Sequence, residues 1–314
     1  MKLSRAVTEY VALKQSMGMC FRSEAGVLKS YCRALGDLDI RDVDPDAVQA
    51  YIAGKGVITA YWHQKFKVLD RFYRFAIGRG HVDSSPLPKT IPKCPEPPAP
   101  HIYTEKELRQ LLSATNLLET PRSPLQAATF RTLLLTLYGT GLRISEALSL
   151  TLADVDLKES LIVVRHSKFF KTRLVPIGPR LTAELQSYAK RRQRMPCPTG
   201  KDSTFFATRS GKTLTYTRAR KIFSILRDFI ADYGKNGARS RPRIHDLRHS
   251  FAVHRLEAWY REGADVQRLL PQLSTYLGHV DVSGTQRYLT MTPELLQEAN
   301  RRFENYMLRR WEHV

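Results

Sequence analysis

Arg143, His245, Arg248, His279 and Tyr288 follow one another through the second half of this 314-residue chain. Together they are the residue types that can break a phosphodiester without a metal. A tyrosine hydroxyl can attack phosphorus, which makes a covalent intermediate. Guanidinium groups offer rigid forks to the non-bridging oxygens. Histidine can move the protons that the attacking and leaving oxygens lose and gain.

Each residue also has an ordinary reading. Arg143 lies in GTGLRISEALSL after a glycine-bounded helix end, where an arginine is more often a surface or salt-bridge group; Glu146 is close enough to brace it. His245 and Arg248, in HDLRHSFAVH, are three apart and share a helix face, but HxxR alone is a weak signal. Arg239, Arg241 and Arg243 precede them and make either an anion site or an exposed basic loop. His279 follows Gly278, as helix-terminal histidines do. Tyr288 is one of 14 tyrosines.

These residues need elements to hold them. The stretch 59–77 reads as a helix, because Trp62, Phe66, Leu69, Tyr73 and Ala76 recur at three and four residues. Lys67, Arg71 and Arg74 share another face of it, a solvated surface or a row of phosphate contacts. Residues 84–100 hold seven prolines and predict an extended linker. After it, Thr104 and Glu107 have the spacing of a capping box. An apolar helix is expected over 125–138. The β-branched runs 161–164 and 173–177 predict a hairpin with a polar, basic tip. Thr292-Pro293-Glu294 reads as the start of a last, amphipathic helix. The expected class is mainly α with a small antiparallel sheet. Its expected parts are a helical domain over 1–83, a linker over 84–101 and an α+β domain over 102–314.

Lys and Arg number 50 against 30 Asp and Glu, a net charge of +20. That excess calls for a polyanionic partner, nucleic acid before a membrane surface. No apolar run approaches a spanning length and no signal-peptide pattern opens the chain, so a cytoplasmic location is expected. The four cysteines form no CxxC pair and no metal site is read from them.

The words TGLRISEALSL, SKFFKTRLVPIG, HDLRHSFA and LGH followed nine residues later by Tyr288 resemble the tyrosine recombinase (phage integrase) family. The resemblance covers about 102–295 by motif and the N-terminal part by size and position. It implies that Tyr288 forms a 3′-phosphotyrosyl link and frees a 5′-hydroxyl. Arg143 and Arg248 would clamp the scissile phosphate and Lys168 would protonate the leaving oxygen. His245 would exchange protons with the tyrosine or the phosphate, and His279 would hydrogen-bond a non-bridging oxygen. Free tyrosine titrates near pH 10, so these cations must favour the phenolate. No metal or other cofactor is implied. Ser167 and Phe169 flank Lys168 where family hairpins often have glycine, and Lys171 is a rival for the acid. The extra length around 269–271 puts local helix geometry in question.

By the same resemblance the 1–83 part is a core-binding, SAM-like DNA-binding domain, and the two domains would close as a C-shaped clamp on duplex DNA. Four protomers on two sites would exchange strands, with or without partner recombinases, and the last helix would dock on a neighbour. The hairpin words also resemble recombinases of mobile elements, which implies integration or excision. Other readings are a type IB topoisomerase-like enzyme, a DNA-binding protein without catalysis and a membrane-surface protein. The LGH…Tyr word and the last helix favour recombination over the topoisomerase reading, and the complete set of catalytic residue types argues against a protein without catalysis.

Overall fold

A computed structural model describes every residue except 55, 97, 121, 122, 124, 166–171, 231–240, 280, 292 and 312–314. At 290, 293, 294 and 305–311 it describes the backbone alone. The chain divides into two compact units, Met1–Pro98 and Ala99–Val314.

The first unit is four helices: α1 (Leu3–Ser16), α2 (Arg22–Leu35), α3 (Pro45–Ala53) and α4 (Ala60–Gly78). Helix α4 begins where the apolar spacing starts, because the Thr59 hydroxyl accepts from the Trp62 N–H at 3.3 Å. Trp62, Phe66, Leu69, Tyr73 and Ala76 are all buried in the core, while Lys67, Arg71 and Arg74 face solvent. Arg74 is paired with Asp70 one turn away. Tyr31 and Tyr73 bury their hydroxyls against each other at 2.7 Å, so neither loses a hydrogen-bond partner on leaving water.

The second unit packs helices around a small sheet. Helix α5 (Glu105–Ala114) opens with the Thr104–Glu107 capping box, in which each side chain meets the other residue's N–H. Helix α6 (Ala127–Thr140) is the central helix of this unit and is buried on nearly every side. Two of its buried threonines bond back along the helix: Thr136 and Thr140 donate to the carbonyls of Thr132 and Thr136. Gly141 then ends the helix in the left-handed conformation, with φ of 62°. Helix α7 (Ile144–Ser149) follows at once.

The sheet has strands β1 (Val155–Asp156), β2 (Leu161–Val164) and β3 (Arg173–Pro176), antiparallel in that order. The expected hairpin pairs Ile162 with Val175 and Val164 with Arg173. Its tip, with Lys168, Phe169 and Lys171, lies outside the described residues, and so does Arg239. Strand β1 is too short to carry a period-2 pattern. The unit continues with α8 (Pro179–Arg192), α9 (Tyr216–Leu226), α10 (Asp246–Arg261), α11 (Val266–Leu277), α12 (Ser283–Gln286), a 3-10 turn over Arg287–Thr290 and α13 (Pro293–Trp311). Helix α11 runs straight through Pro271. In the single chain α13 lies on its own α10. Leu295 is buried there, and the Arg302 guanidinium donates to the carbonyls of Gly263 and Ala264. Among the described residues no helix is long and apolar enough to cross a membrane.

Candidate active site

Four pieces of backbone meet where α6 ends and α11 ends: the Gly141 turn, the start of α10, the Gly278 turn and the 3-10 turn that carries Tyr288. Arg248 sits in the first turn of α10, 2 % exposed. Its guanidinium donates to the Gly141 and Leu277 carbonyls, both at 2.8 Å. Those bonds fix the plane of the fork and join α6 to α11. Burial first and Arg143 second lower its pKa to about 10, which still leaves it charged at neutral pH.

Arg143 is half-buried just ahead of α7. It donates to the Gly278 carbonyl at 3.0 Å and to Glu146 Oε1 at 2.9 Å. The two arginines therefore grip adjacent carbonyls at the C-terminal end of α11. Two like charges this close, with little water, need a counter-charge or an anion. Glu146 supplies one. It also takes both ends of the Arg173 guanidinium, at 3.1 and 2.8 Å, from the base of β3. Burial alone would raise the Glu146 carboxyl, but Arg173 and then Arg143 hold it below the usual carboxylate range.

Tyr288 is 2 % exposed, and its hydroxyl is 3.2 Å from His249 Nδ1. Burial raises its pKa, while Arg248, Arg287 and Arg143 pull it down. His279 stacks on the Tyr288 ring at 6.1 Å and shares a hydrogen bond with Thr285 Oγ1 at 2.7 Å. Burial, with Arg248 and Arg143, lowers its pKa to about 4. His245 is exposed at the N-terminal end of α10, with its ring edge-on to His249 at 4.9 Å. Desolvation by that packing and then the Arg248 charge lower its pKa.

Five of the six expected catalytic residues are thus brought to one pocket: Arg143, His245, Arg248, His279 and Tyr288. The expected helix face shared by His245 and Arg248 takes a different form, because His245 is the residue before the helix rather than within it. Of the basic run, Arg241 and Arg243 are both exposed, and Arg243 is also paired with Asp246 at 2.9 Å. Two residues escaped sequence reasoning. His249 directly follows Arg248 and is one turn from His245, a spacing open to view. Arg173 left no such sign, because its partner is 27 residues away. Among the described residues, no three His, Cys, Asp or Glu side chains gather as a metal site would need.

The sequence model of the phage integrase family matches residues 102–294. The chain belongs to that family. The integrase/recombinase y4rB of Sinorhizobium fredii is 33 % identical over 313 residues, covering 98 % of each chain. The tyrosine recombinase XerC of Chlorobaculum parvum is 30 % identical over 294 residues, covering 86 % of this chain and 83 % of that one. Among solved structures, the Tn1549 transposon integrase in complex with a circular intermediate DNA superposes with a TM-score of 0.68 at 18 % identity. That match covers 97 % of this chain and 99 % of that one. A lambda integrase tetramer bound to a Holliday junction gives 0.65 at 16 % identity, covering 92 % and 77 %. The structural likenesses speak for the fold, a tyrosine recombinase catalytic domain that is mainly helical with a small antiparallel sheet. The recombinase is a DNA strand breaking and rejoining enzyme of the site-specific class.

Proposed function

We propose that Tyr288 is the nucleophile of this recombinase and that Arg143 and Arg248 bind the scissile phosphate. The observation that carries the reading is the placement of the Tyr288 hydroxyl beside the buried Arg248 guanidinium. The tyrosine oxygen attacks phosphorus, a Tyr–O–P bond forms and the 5′-oxygen leaves. The two guanidiniums stabilise the charge that builds on the non-bridging oxygens. His279 donates to one of those oxygens, and His245 exchanges protons with the phosphate or the tyrosine. Lys168 protonates the leaving oxygen, a role that rests on its place in the hairpin between β2 and β3, with Lys171 as the rival. The phosphotyrosine keeps the bond energy, so rejoining reverses the same steps without ATP.

Both units engage duplex DNA in this reading. Lys67, Arg71 and Arg74 offer phosphate contacts from α4, and Arg241 offers one near the active site; Arg239 stands in the same basic run. Residues 1–83 serve as the core-binding domain and 84–101 as the linker. Four copies on two DNA sites, alone or with partner recombinases, carry out integration or excision of a mobile element. The family and the integrase/recombinase wording of the S. fredii relative's name support recombination of that kind.

The test uses labelled duplexes from the ends of the element that carries the gene, nicked so that cleavage traps the covalent complex. Wild type should give a detergent-stable protein–DNA adduct and Tyr288→Phe none. An adduct that survives Tyr288→Phe removes Tyr288 from the reaction. Tight binding without an adduct, even with neighbouring recombinases added, points to a DNA-binding protein that does not cleave.

A further inference from the structure

Among the described residues, His249 hydrogen-bonds Tyr288 and has no part in the mechanism above. It lies in α10, 7 % exposed, with its ring 5.6 Å from the Tyr288 ring and 4.9 Å from that of His245. Its Nδ1 is 3.2 Å from the Tyr288 oxygen. Arg248 lies close enough to the same hydroxyl to pull its pKa down, and a guanidinium can only donate. The oxygen could accept from both neighbours, but one arrangement also gives the hydroxyl hydrogen an acceptor. The oxygen accepts from Arg248, and its hydrogen points at His249 Nδ1. The imidazole must then carry its own hydrogen on Nε2.

We infer that His249 is the positioning residue for the nucleophile, holding the Tyr288 hydroxyl by its hydrogen so that an oxygen lone pair faces the phosphate seat at Arg248. The inference rests on the reading of Tyr288 as nucleophile. Nucleophilic attack needs a lone pair of the reacting oxygen aimed at phosphorus, and a phenol hydroxyl can turn its hydrogen to either side of the ring unless one acceptor holds it. His249 removes that freedom. It aims the hydroxyl before attack; as the Tyr–O–P bond forms, the phenol proton passes to His245 or a phosphate oxygen, as in the reaction above. Burial, then His245 and the arginines around it, lower its pKa to about 3, so the ring stays neutral throughout the working range. The two histidines on α10 are thereby divided: exposed His245 can trade protons with substrate, and buried His249 orients.

Leucine and asparagine test this, since they have nearly the same shape and only asparagine can accept at the place of Nδ1. Single-turnover cleavage is measured on the nicked element-end duplex, with rate followed against DNA concentration. His249→Leu should lower the rate at saturating DNA by about 10²-fold. The DNA concentration for half-saturation should stay within about twofold. His249→Asn should recover most of the lost rate. In parallel, nitrogen NMR of histidine-labelled protein should show His249 as the Nε2–H tautomer in wild type, with its Nδ1 shift moving in Tyr288→Phe. A His249→Leu rate equal to wild type overturns the inference, as does an Nδ1–H tautomer. Equal loss in Leu and Asn, with melting temperature falling in both, reduces His249 to a packing residue. A Tyr288→Phe protein that still forms adduct removes the reading beneath the inference, and that result is distinct from any His249 outcome.

Discussion

Arg143 and Arg248 each use part of the guanidinium on backbone carbonyls, at Gly278, Gly141 and Leu277, and Arg143 also on Glu146; in the proposed reaction other N–H groups meet the phosphate. A lysine cannot do both, because its ammonium has no planar fork. Arg248→Lys should therefore lower single-turnover cleavage by about 10²–10³-fold, the cost of losing one charge-stabilising donor. Gel-shift affinity should barely change. A variant that cleaves normally would show that Arg248 braces the fold and nothing more. The histidines yield a pH prediction. His249 is held near 3 and His279 near 4, both below the unfolded value of about 6.5. Such groups bind protons in the unfolded chain first. Their contribution is complete above about pH 6.5 and is lost as pH falls toward 4 and then 3. Between pH 7 and 5 the buried His249 alone should account for about 2 kcal/mol of lost stability. The melting temperature should fall over that range, and less steeply in His249→Asn; an equal slope would contradict the assignment. Arg143, Arg248 and Tyr288 were legible in the sequence because each sits in a distinctive word at a set spacing. The hydrogen bond of His249 was not, since it depends on where the 3-10 turn presents Tyr288.

Elements set the pocket by where they stop. Gly141 ends α6 at a φ of 62°, and a Cβ there would stand 2.5 Å from Phe251 Cδ1 and 2.7 Å from Leu277 Cδ2. Leu277 is fully buried, and the half-buried Phe251 ring is stacked on Tyr276. Gly141→Ala should cost about 1–2 kcal/mol for the left-handed backbone, and about as much again for overpacking. It should also slow cleavage, because the Gly141 carbonyl anchors Arg248. A variant as stable and active as wild type would mean that the turn does not set the fork. Glu146 ties α7 to β3. Glu146→Ala leaves Arg143 and Arg173 facing each other without a counter-charge, a change worth about 3–5 kcal/mol at a buried pair. Glu146→Gln, which keeps the shape, should lose less, as read by chemical denaturation. Sequence pattern found α4, α5, α6 and the hairpin, where period or capping chemistry is local. It could not show that α11 runs through Pro271, because packing of Val266, Leu270, Leu273 and Leu277 outweighs the lost hydrogen bond. Nor could it show Arg173 on Glu146, a contact made only by the folded sheet.

The net charge of +20 dominates what the whole molecule does with its partner. Binding that neutralises six or more phosphates should weaken about 10³-fold or more between about 50 and about 200 mM salt, whatever the DNA sequence. A shallow slope would contradict broad backbone contact. The units Met1–Pro98 and Ala99–Val314 each have their own core. A fragment of residues 99–314 should fold cooperatively by calorimetry yet bind DNA more weakly than the full chain. Fragment affinity equal to the full chain would deny the α4 cations a part in binding. The account as a whole depends on one bond, between Tyr288 and a DNA phosphate. The most direct measurement traps the adduct on nicked duplex, digests DNA and protein, and locates the nucleotide remnant by mass spectrometry. Cleavage after Arg287 should place Tyr288 at the start of a peptide that carries the phosphonucleotide. A remnant on any other residue, or trapped DNA released by hydroxylamine from a carboxylate, would contradict the account.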